Sequence, residues 1–229
     1  MKSMSKRTLA FAALIAAFTS CGNNQSSETT ETKSDTSTSQ SSGAATDTPA
    51  KKDTMANMKM GNGLMGSMNS MMDKMHSMNM TSDFDTDWAN MMIEHHRGAI
   101  DMAQVEVSQG KDDKMKGKAQ EIIDKQKKEQ QELRDIVSSY KPSGMKHGEG
   151  ELQKSMSAMM DKMKGMEMSG DVDKDFATMM SSHHEDGISM AKMEIKNGMS
   201  DKLKQIAQKS IPDQQKDIAE FKNWLQNHK

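Results

Sequence analysis

From residue 83 onward the apolar positions recur at three- and four-residue spacing. They nowhere alternate with period two over a useful length, and β-branched content is low. The chain is therefore predicted to be all-α. An element over about 83–109 follows Thr81-Ser82-Asp83, whose side-chain oxygens can cap it, and stops at Gly110. A second runs over about 112–140, with apolar residues at 119, 122, 123, 133, 136 and 137 on a Glu-, Lys- and Gln-rich background. Both recur in the second half of the chain, where Pro212 is expected to kink or interrupt the last helix. Shorter, Gly-punctuated, Met-rich helices are predicted over about 64–80 and 151–168. Two long helices in each half predict an antiparallel four-helix bundle.

The halves are copies of each other at an offset of 88. Met71-Met72-Asp73-Lys74-Met75 returns as Met159-Met160-Asp161-Lys162-Met163, and Trp88-Ala89-Asn90-Met91-Met92 as Phe176-Ala177-Thr178-Met179-Met180. His95-His96 returns as His183-His184. Ile100, Met102, Ala103, Glu106 and Gly110 return as Ile188, Met190, Ala191, Glu194 and Gly198. Such gapless fidelity indicates tandem duplication. It divides the chain into a Met-rich segment (55–82), a first helical repeat (83–140), a connector with a second Met-rich helix (141–170) and a second helical repeat (171–229).

Residues 1–54 read differently. Lys2, Lys6 and Arg7 precede an apolar run from Leu9 to Phe18, too short to span a bilayer and typical of a secretory signal. Thr19-Ser20-Cys21-Gly22 resembles the lipoprotein processing box of bacteria, with Phe18 where Leu is usual; the resemblance implies a signal peptide over 1–21 and lipidation of Cys21. Residues 22–54 carry only small apolar side chains among Ser, Thr, Gln, Asp, Glu and Lys, and are expected to be a disordered tether. As a coil it would span on the order of 30 Å. The expected location is the bacterial envelope, anchored by lipid and facing the periplasm or the exterior.

Composition narrows the chemistry. One Cys excludes a disulfide scaffold and a Cys-based zinc or iron–sulfur site within the chain. A net charge of −2 and 3% aromatic residues give no footing for nucleic acid. Beyond Cys21 there are 26 Met, against 22 Leu, Ile, Val and Phe together.

At about 100° per residue, Met91, Met92, Met102, Glu106, Trp88 and Ala99 all fall within about 60° of His95. Asn90, Glu94, Arg97, Asp101 and Gln104 lie on the far side. The second copy repeats the stripe with Met179, Met180, His183, His184, Met190 and Glu194. Met at such spacing commonly fills cores. A doubled stripe that also carries imidazoles points instead to a soft metal, since thioethers serve Cu(I) well and Zn²⁺, Mg²⁺ or Ca²⁺ poorly. Silver(I) should mimic copper. His95 and His96 lie about 100° apart, so one is expected to face the Met residues of its own helix while the other reaches across to the second repeat. Met68, Met71, Met72 and Met75, with Met156, Met159, Met160 and Met163, are candidate auxiliary ligands on composition alone; His76 and His147 are left out.

The run Asp87-Trp88…Met91-Met92…His95-His96-Arg97-Gly98-Ala99-Ile100-Asp101-Met102-Ala103 resembles the signature of the domain of unknown function 305 family. His183-His184…Gly187-Ile188-Ser189-Met190-Ala191 resembles a second, weaker copy. The resemblance covers 83–140 and 171–228 and leaves 55–80 outside. It implies a ferritin-like fold and includes periplasmic copper-binding proteins linked to copper tolerance. Gly187, where the family has Ala, and Ser181-Ser182 before the His pair imply an altered second site.

The expected function is the binding of copper, as Cu(I) first and Cu(II) second, in sequestration, trafficking or tolerance, without turnover and with a copper-exchanging envelope protein as partner. The alternatives are a ferritin-like metal oxidase and a Met-rich protein-interaction module. No Glu is followed three residues later by His, which disfavours a carboxylate-bridged di-iron oxidase.

Overall fold

The computed structural model describes residues 51–142 and 148–228, with side chains described from residue 63 onward except at 149. These residues form six helices and no strand: α1 (Lys51–His76), α2 (Phe84–Gln109), α3 (Asp113–Ser139), α4 (Glu149–Lys164), α5 (Val172–Asn197) and α6 (Asp201–Asn227). The chain is an all-α bundle.

Helices α2 and α5 start in the same way. Asp83 accepts a hydrogen bond from Thr86 N, and Asp171 from Lys174 N, each satisfying a free amide of the first turn. One turn on, Asp87 accepts from Thr81 N, Thr81 Oγ1 and Ser82 N, and Asp175 from Ser169 N, Ser169 Oγ and Gly170 N. The tight approach places Ser82 at φ 66° and its counterpart Gly170 at φ 83°. Asp112 and Ser200 cap α3 and α6.

Each copy is a helical hairpin, α2 with α3 and α5 with α6. The hairpins join along α2 and α5, which run antiparallel. Trp88 Nε1 donates to Met190 O (2.8 Å) near one end, and the amides of Lys111 and Asp112 donate to Asp173 at the other. On the outside α3 meets α6, also antiparallel, through Lys118–Asp217 (2.6 Å) and Lys125–Asp213 (3.0 Å). α1 lies on α2 and touches α4 and α5. Leu64, Met68, Met71, Met72 and Met75 are buried there, and a Cβ at Gly98 would come within 2.5 Å of Met71 Sδ, so the absence of a side chain at 98 lets α1 approach.

Several expectations need correction. α1 begins at Lys51, so residues 51–54 are helical rather than tether, and it ends at His76 rather than 80. α4 stops at Lys164, not 168. Pro212 does not interrupt α6. Pro212 and Gln208 both face solvent, so the carbonyl that loses its helical donor can be hydrated. The expected signal peptide, Cys21, residues 22–50 of the tether and His147 lie outside the described residues. No helix among the described residues is long and apolar enough to cross a membrane.

Candidate metal centre

Helices α2 and α5 meet at His95 and His183, whose rings stack with centroids 3.6 Å apart and planes inclined by 28°. Both are buried, at 2% and 1% exposure. Burial, reinforced by the neighbouring imidazoles, holds both pKa values well below 6.5, so the rings are neutral at pH 7. His183 Nε2 lies 3.0 Å from His95 O. A carbonyl only accepts, so Nε2 carries the hydrogen and Nδ1 is left with a lone pair. Among the described residues neither His183 Nδ1 nor His95 Nε2 has a hydrogen-bond partner.

The second His of each pair turns to its own copy. His96 Nε2 sits 2.8 Å from Glu129 Oε2 on α3, and His184 Nε2 sits 3.4 Å from Asp217 Oδ2 on α6. The expected arrangement is thus corrected: the residue on the Met-bearing face is also the one that meets the other repeat. Buried His96 Nδ1 and His184 Nδ1 are without partners as well. Burial alone would raise the Asp217 carboxyl, but hydrogen bonding and charge from His184 and Lys118 outweigh it and hold it below its ordinary value.

The copies differ beside these rings. A Cβ at Gly187 would collide with Gln214 Oε1 and come within 3.0 Å of His95 Cε1, so Gln214 occupies space that the counterpart Ala99 fills with its own methyl. Gln214 and its counterpart Gln126 are buried with their Oε1 atoms unpartnered among the described residues.

Only part of the stripe gathers here. Met91, Met92, Met179 and Met180, all buried, lie within one helical turn of the imidazole of their own helix. Met102 and Met190 are buried about 10 Å along the axis from it, and Glu106 and Glu194 about 16 Å, so the structure does not bring the two glutamates to the imidazoles. Met68, Met71, Met72, Met75 and Met159 are core residues, and Met156, Met160 and Met163 pack partly buried against them. His76 is exposed. Among the described residues no three His, Cys, Asp or Glu side chains converge as a closed ligand set.

The two glutamates form a different constellation. Fully buried Glu106 faces Asp173, which accepts from the amides of Lys111 and Asp112; fully buried Glu194 faces Asp85, which accepts from the amides of Met199 and Ser200 and from Tyr140 Oη. The aspartates use the donors at hand and the glutamates keep the proton. Burial, then the adjacent aspartate, pushes Glu106 up to about 8 and Glu194 up to about 9. Asp173 goes the other way: burial would raise it, but the Asp112 and Lys111 amides and Glu106 hold it below its ordinary value. Gly110 and Gly198 make room, since a Cβ at either would collide with the glutamate one turn back.

Glu129, Asp217, Gln126, Gln214, Asp85 and Asp173 were not singled out from the sequence. Each pair is related by the offset of 88, a signal that extending the self-comparison into the third helix and the first turn of the second would have exposed.

The family model described as Domain of unknown function (DUF305) matches residues 15–137 and 138–225. The matches take in α1 and α4, which the residue signature had left outside. No curated protein and no solved structure matches the chain.

Proposed function

The chain belongs to the DUF305 family in two tandem copies, and on that footing we propose that it is a copper-binding protein of the bacterial envelope that sequesters or passes on Cu(I) without turnover. The observation that carries this reading is the set of orphaned imidazole nitrogens. His95 Nε2, His96 Nδ1, His183 Nδ1 and His184 Nδ1 are buried without partners, and leaving such a group unpaired costs about 1–3 kcal/mol. His95, His183 and the nearby thioethers are uncharged donors in an apolar setting. A soft monovalent ion suits them; a hard divalent ion would bring charge, and the carboxylates present, Glu129 and Asp217, face the outer rings His96 and His184 rather than His95 and His183. His95 and His183 would be the central ligands, with His96, His184, Met91, Met92, Met179 and Met180 around them. Met102, Met190, Glu106 and Glu194 are set aside as ligands because they stand two or three turns away.

The interaction-module alternative needs an open Met face. Among the described residues the exposed large hydrophobic side chains are only Val107 and Met199, while α1 turns Met68, Met71, Met72 and Met75 inward. The envelope location and lipid anchor rest on Lys2 to Cys21. The partners are then the metal ion, a membrane through the anchor and a copper-exchanging envelope protein, with no role for nucleic acid.

The test is titration of the full chain with Cu(I), and with Ag(I) as a mimic, against a competing chelator, combined with thermal unfolding. A folded-state site raises stability by about 2.7 kcal/mol at a free ion concentration 100-fold above Kd. His95→Leu with His183→Leu, which keeps the space filled, should abolish that gain. Retention of no metal by the parent chain would end the reading, and oxygen uptake with added Cu(I) or Fe(II) well above buffer would favour the oxidase.

A further inference from the structure

The carboxylates behind the second imidazole of each pair have an assignable role. Glu129 of α3 and Asp217 of α6 occupy equivalent positions, and each approaches Nε2 of its own copy's second histidine, at 2.8 Å and 3.4 Å. A carboxylate has no hydrogen to give, so it demands Nε2–H and leaves Nδ1 of the neutral ring as the lone-pair nitrogen. In His96 that nitrogen is the unpartnered one; in His184 the 3.4 Å approach falls short of a hydrogen bond and both ring nitrogens are unpartnered among the described residues. The His96 ring is thus fixed by its outer edge and aims its free nitrogen away from the carboxylate, while His184 is approached in the same way but more loosely.

The two copies do not hold their rings equally. Asp217 is shared: Lys118 Nζ lies 2.6 Å from its Oδ1, and the same ammonium lies 2.6 Å from Glu220 Oε2. Lys118 comes from the first copy, and its counterpart in the second is Ile206, so Glu129 meets no equivalent ammonium from that position. A carboxylate neutralised by an adjacent ammonium is a weaker acceptor, in keeping with an approach at His184 that stays short of a hydrogen bond.

We propose that Glu129 and Asp217 are positioning residues that set the tautomer of His96 and His184 for a soft cation, and that Glu129 exerts the stronger hold. This rests on the copper reading for its ligand but not for its tautomers. Carboxylate partners of ligating histidines are worth about 10–100-fold in metal affinity.

The experiment compares the full chain with Glu129→Gln, Asp217→Asn and Glu129→Asp. The amide isosteres can either accept or donate, so they no longer dictate the tautomer. Imidazole ¹⁵N shifts of the metal-free protein should show His96 and His184 as Nε2–H in the parent, with His96 becoming mixed in Glu129→Gln. Cu(I) affinity, read by chelator competition, should fall at least 10-fold in Glu129→Gln, fall less in Asp217→Asn, and recover in Glu129→Asp, which copies the second repeat. Thermal unfolding of the metal-free Glu129 variants should stay near the parent, which a merely structural role would not allow, whereas Asp217→Asn also weakens the Lys118 pair and is compared through its tautomer and affinity. Nδ1–H rings in the parent, or an unchanged His96 tautomer in Glu129→Gln, overturn the proposal; equal affinity losses in the two amide variants overturn the ranking. If the parent binds no Cu(I) while the tautomers behave as stated, the copper reading fails and the positioning stands.

Discussion

Replacing Glu106 and Glu194 by glutamine should change how stability depends on pH, with a sign opposite to that of ordinary carboxylates. Both are fully buried, with folded pKa values of about 8 and about 9 against an ordinary value of 4.5. Above about pH 5 the unfolded chain has released these protons while the folded chain keeps them. Stability therefore falls as pH rises, by about 1.4 kcal/mol per unit for each group, until the folded pKa is passed. His95 and His183 pull the other way: their folded pKa values lie well below 6.5, so below that pH the unfolded chain takes up protons that the folded one refuses. Two carboxyls and two imidazoles then oppose each other between about pH 5 and 6.5, and the curve is nearly flat. Above 6.5 only the carboxyls remain, and the metal-free parent should lose up to about 2.7 kcal/mol between pH 7 and 8. The double glutamine variant keeps a donor toward Asp173 and Asp85 without a titrating proton, and should lose less than about 0.5 kcal/mol over the same unit. Urea unfolding followed by far-ultraviolet circular dichroism at half-unit steps from pH 5 to 9 reads this directly, provided the denaturant slope stays constant. A parent curve that is flat from 7 to 8, or a variant that keeps the parent's slope, would refute the proton assignment.

Ser82 holds a left-handed backbone (φ 66°) where the second copy has Gly170, so Ser82→Gly should stabilise by about 0.5–1 kcal/mol in thermal unfolding and Gly170→Ser should cost a similar amount. Gly98→Ala, whose methyl would meet Met71 Sδ, should cost about 1–3 kcal/mol by overpacking, and Met71→Ala about 2–5 kcal/mol through the cavity it leaves. Combined, the two should cost clearly less than their sum, because the new methyl enters the vacated space; strict additivity in the double-mutant cycle would show that α1 does not seat on Gly98.

The helices were legible because their signals are local. Asp83, the period of apolar residues through α2 and the stop at Gly110 all act within a few residues, and the offset of 88 carried the same reading to α5. The faces were legible as well: Asn90, Glu94, Arg97, Asp101 and Gln104 stay at least partly exposed while Met91, His95 and Met102 are buried. The composition of the centre was not, because it depends on which helix faces which. A helical projection places Glu106 within about 20° of His95 but says nothing of their separation of 11 positions along the helix, and a shared face was taken for a shared site. Most of the Lys- and Glu-rich run 111–132 is solvated, as its composition suggests, yet Glu129 and Lys118 turn inward to His96 and Asp217. Pro212 misled for the opposite reason, since its cost depends on whether the freed carbonyl faces water.

The duplication explains why the polar groups of the core come in levels. A local two-fold relation carries α2 onto α5, so any residue on the seam near the axis meets its own counterpart, and any residue away from it meets a different residue of the other copy twice. His95 and His183 are near the axis and stack on each other. Glu106 with Asp173 and Glu194 with Asp85 are the two off-axis images of one pairing, at opposite ends of the seam. Between these levels lie Trp88, Phe176, Met91, Met102, Met179 and Met190, all buried. At the end levels the aspartates are met by backbone amides and each glutamate retains a proton, although both carboxyl oxygens of Glu106 and of Glu194 are without a hydrogen-bond partner among the described residues. The middle level has no protonated carboxyl: symmetry places two neutral imidazoles against each other, and a pair of like rings cannot supply every lone pair with a donor. Selection acting on fold stability alone would be expected to replace such a pair with apolar side chains, as the flanking Met and Phe positions show the seam can accommodate. Retention of both imidazoles, each backed by a second His-carboxylate pair in its own copy, is intelligible if something other than the chain completes them.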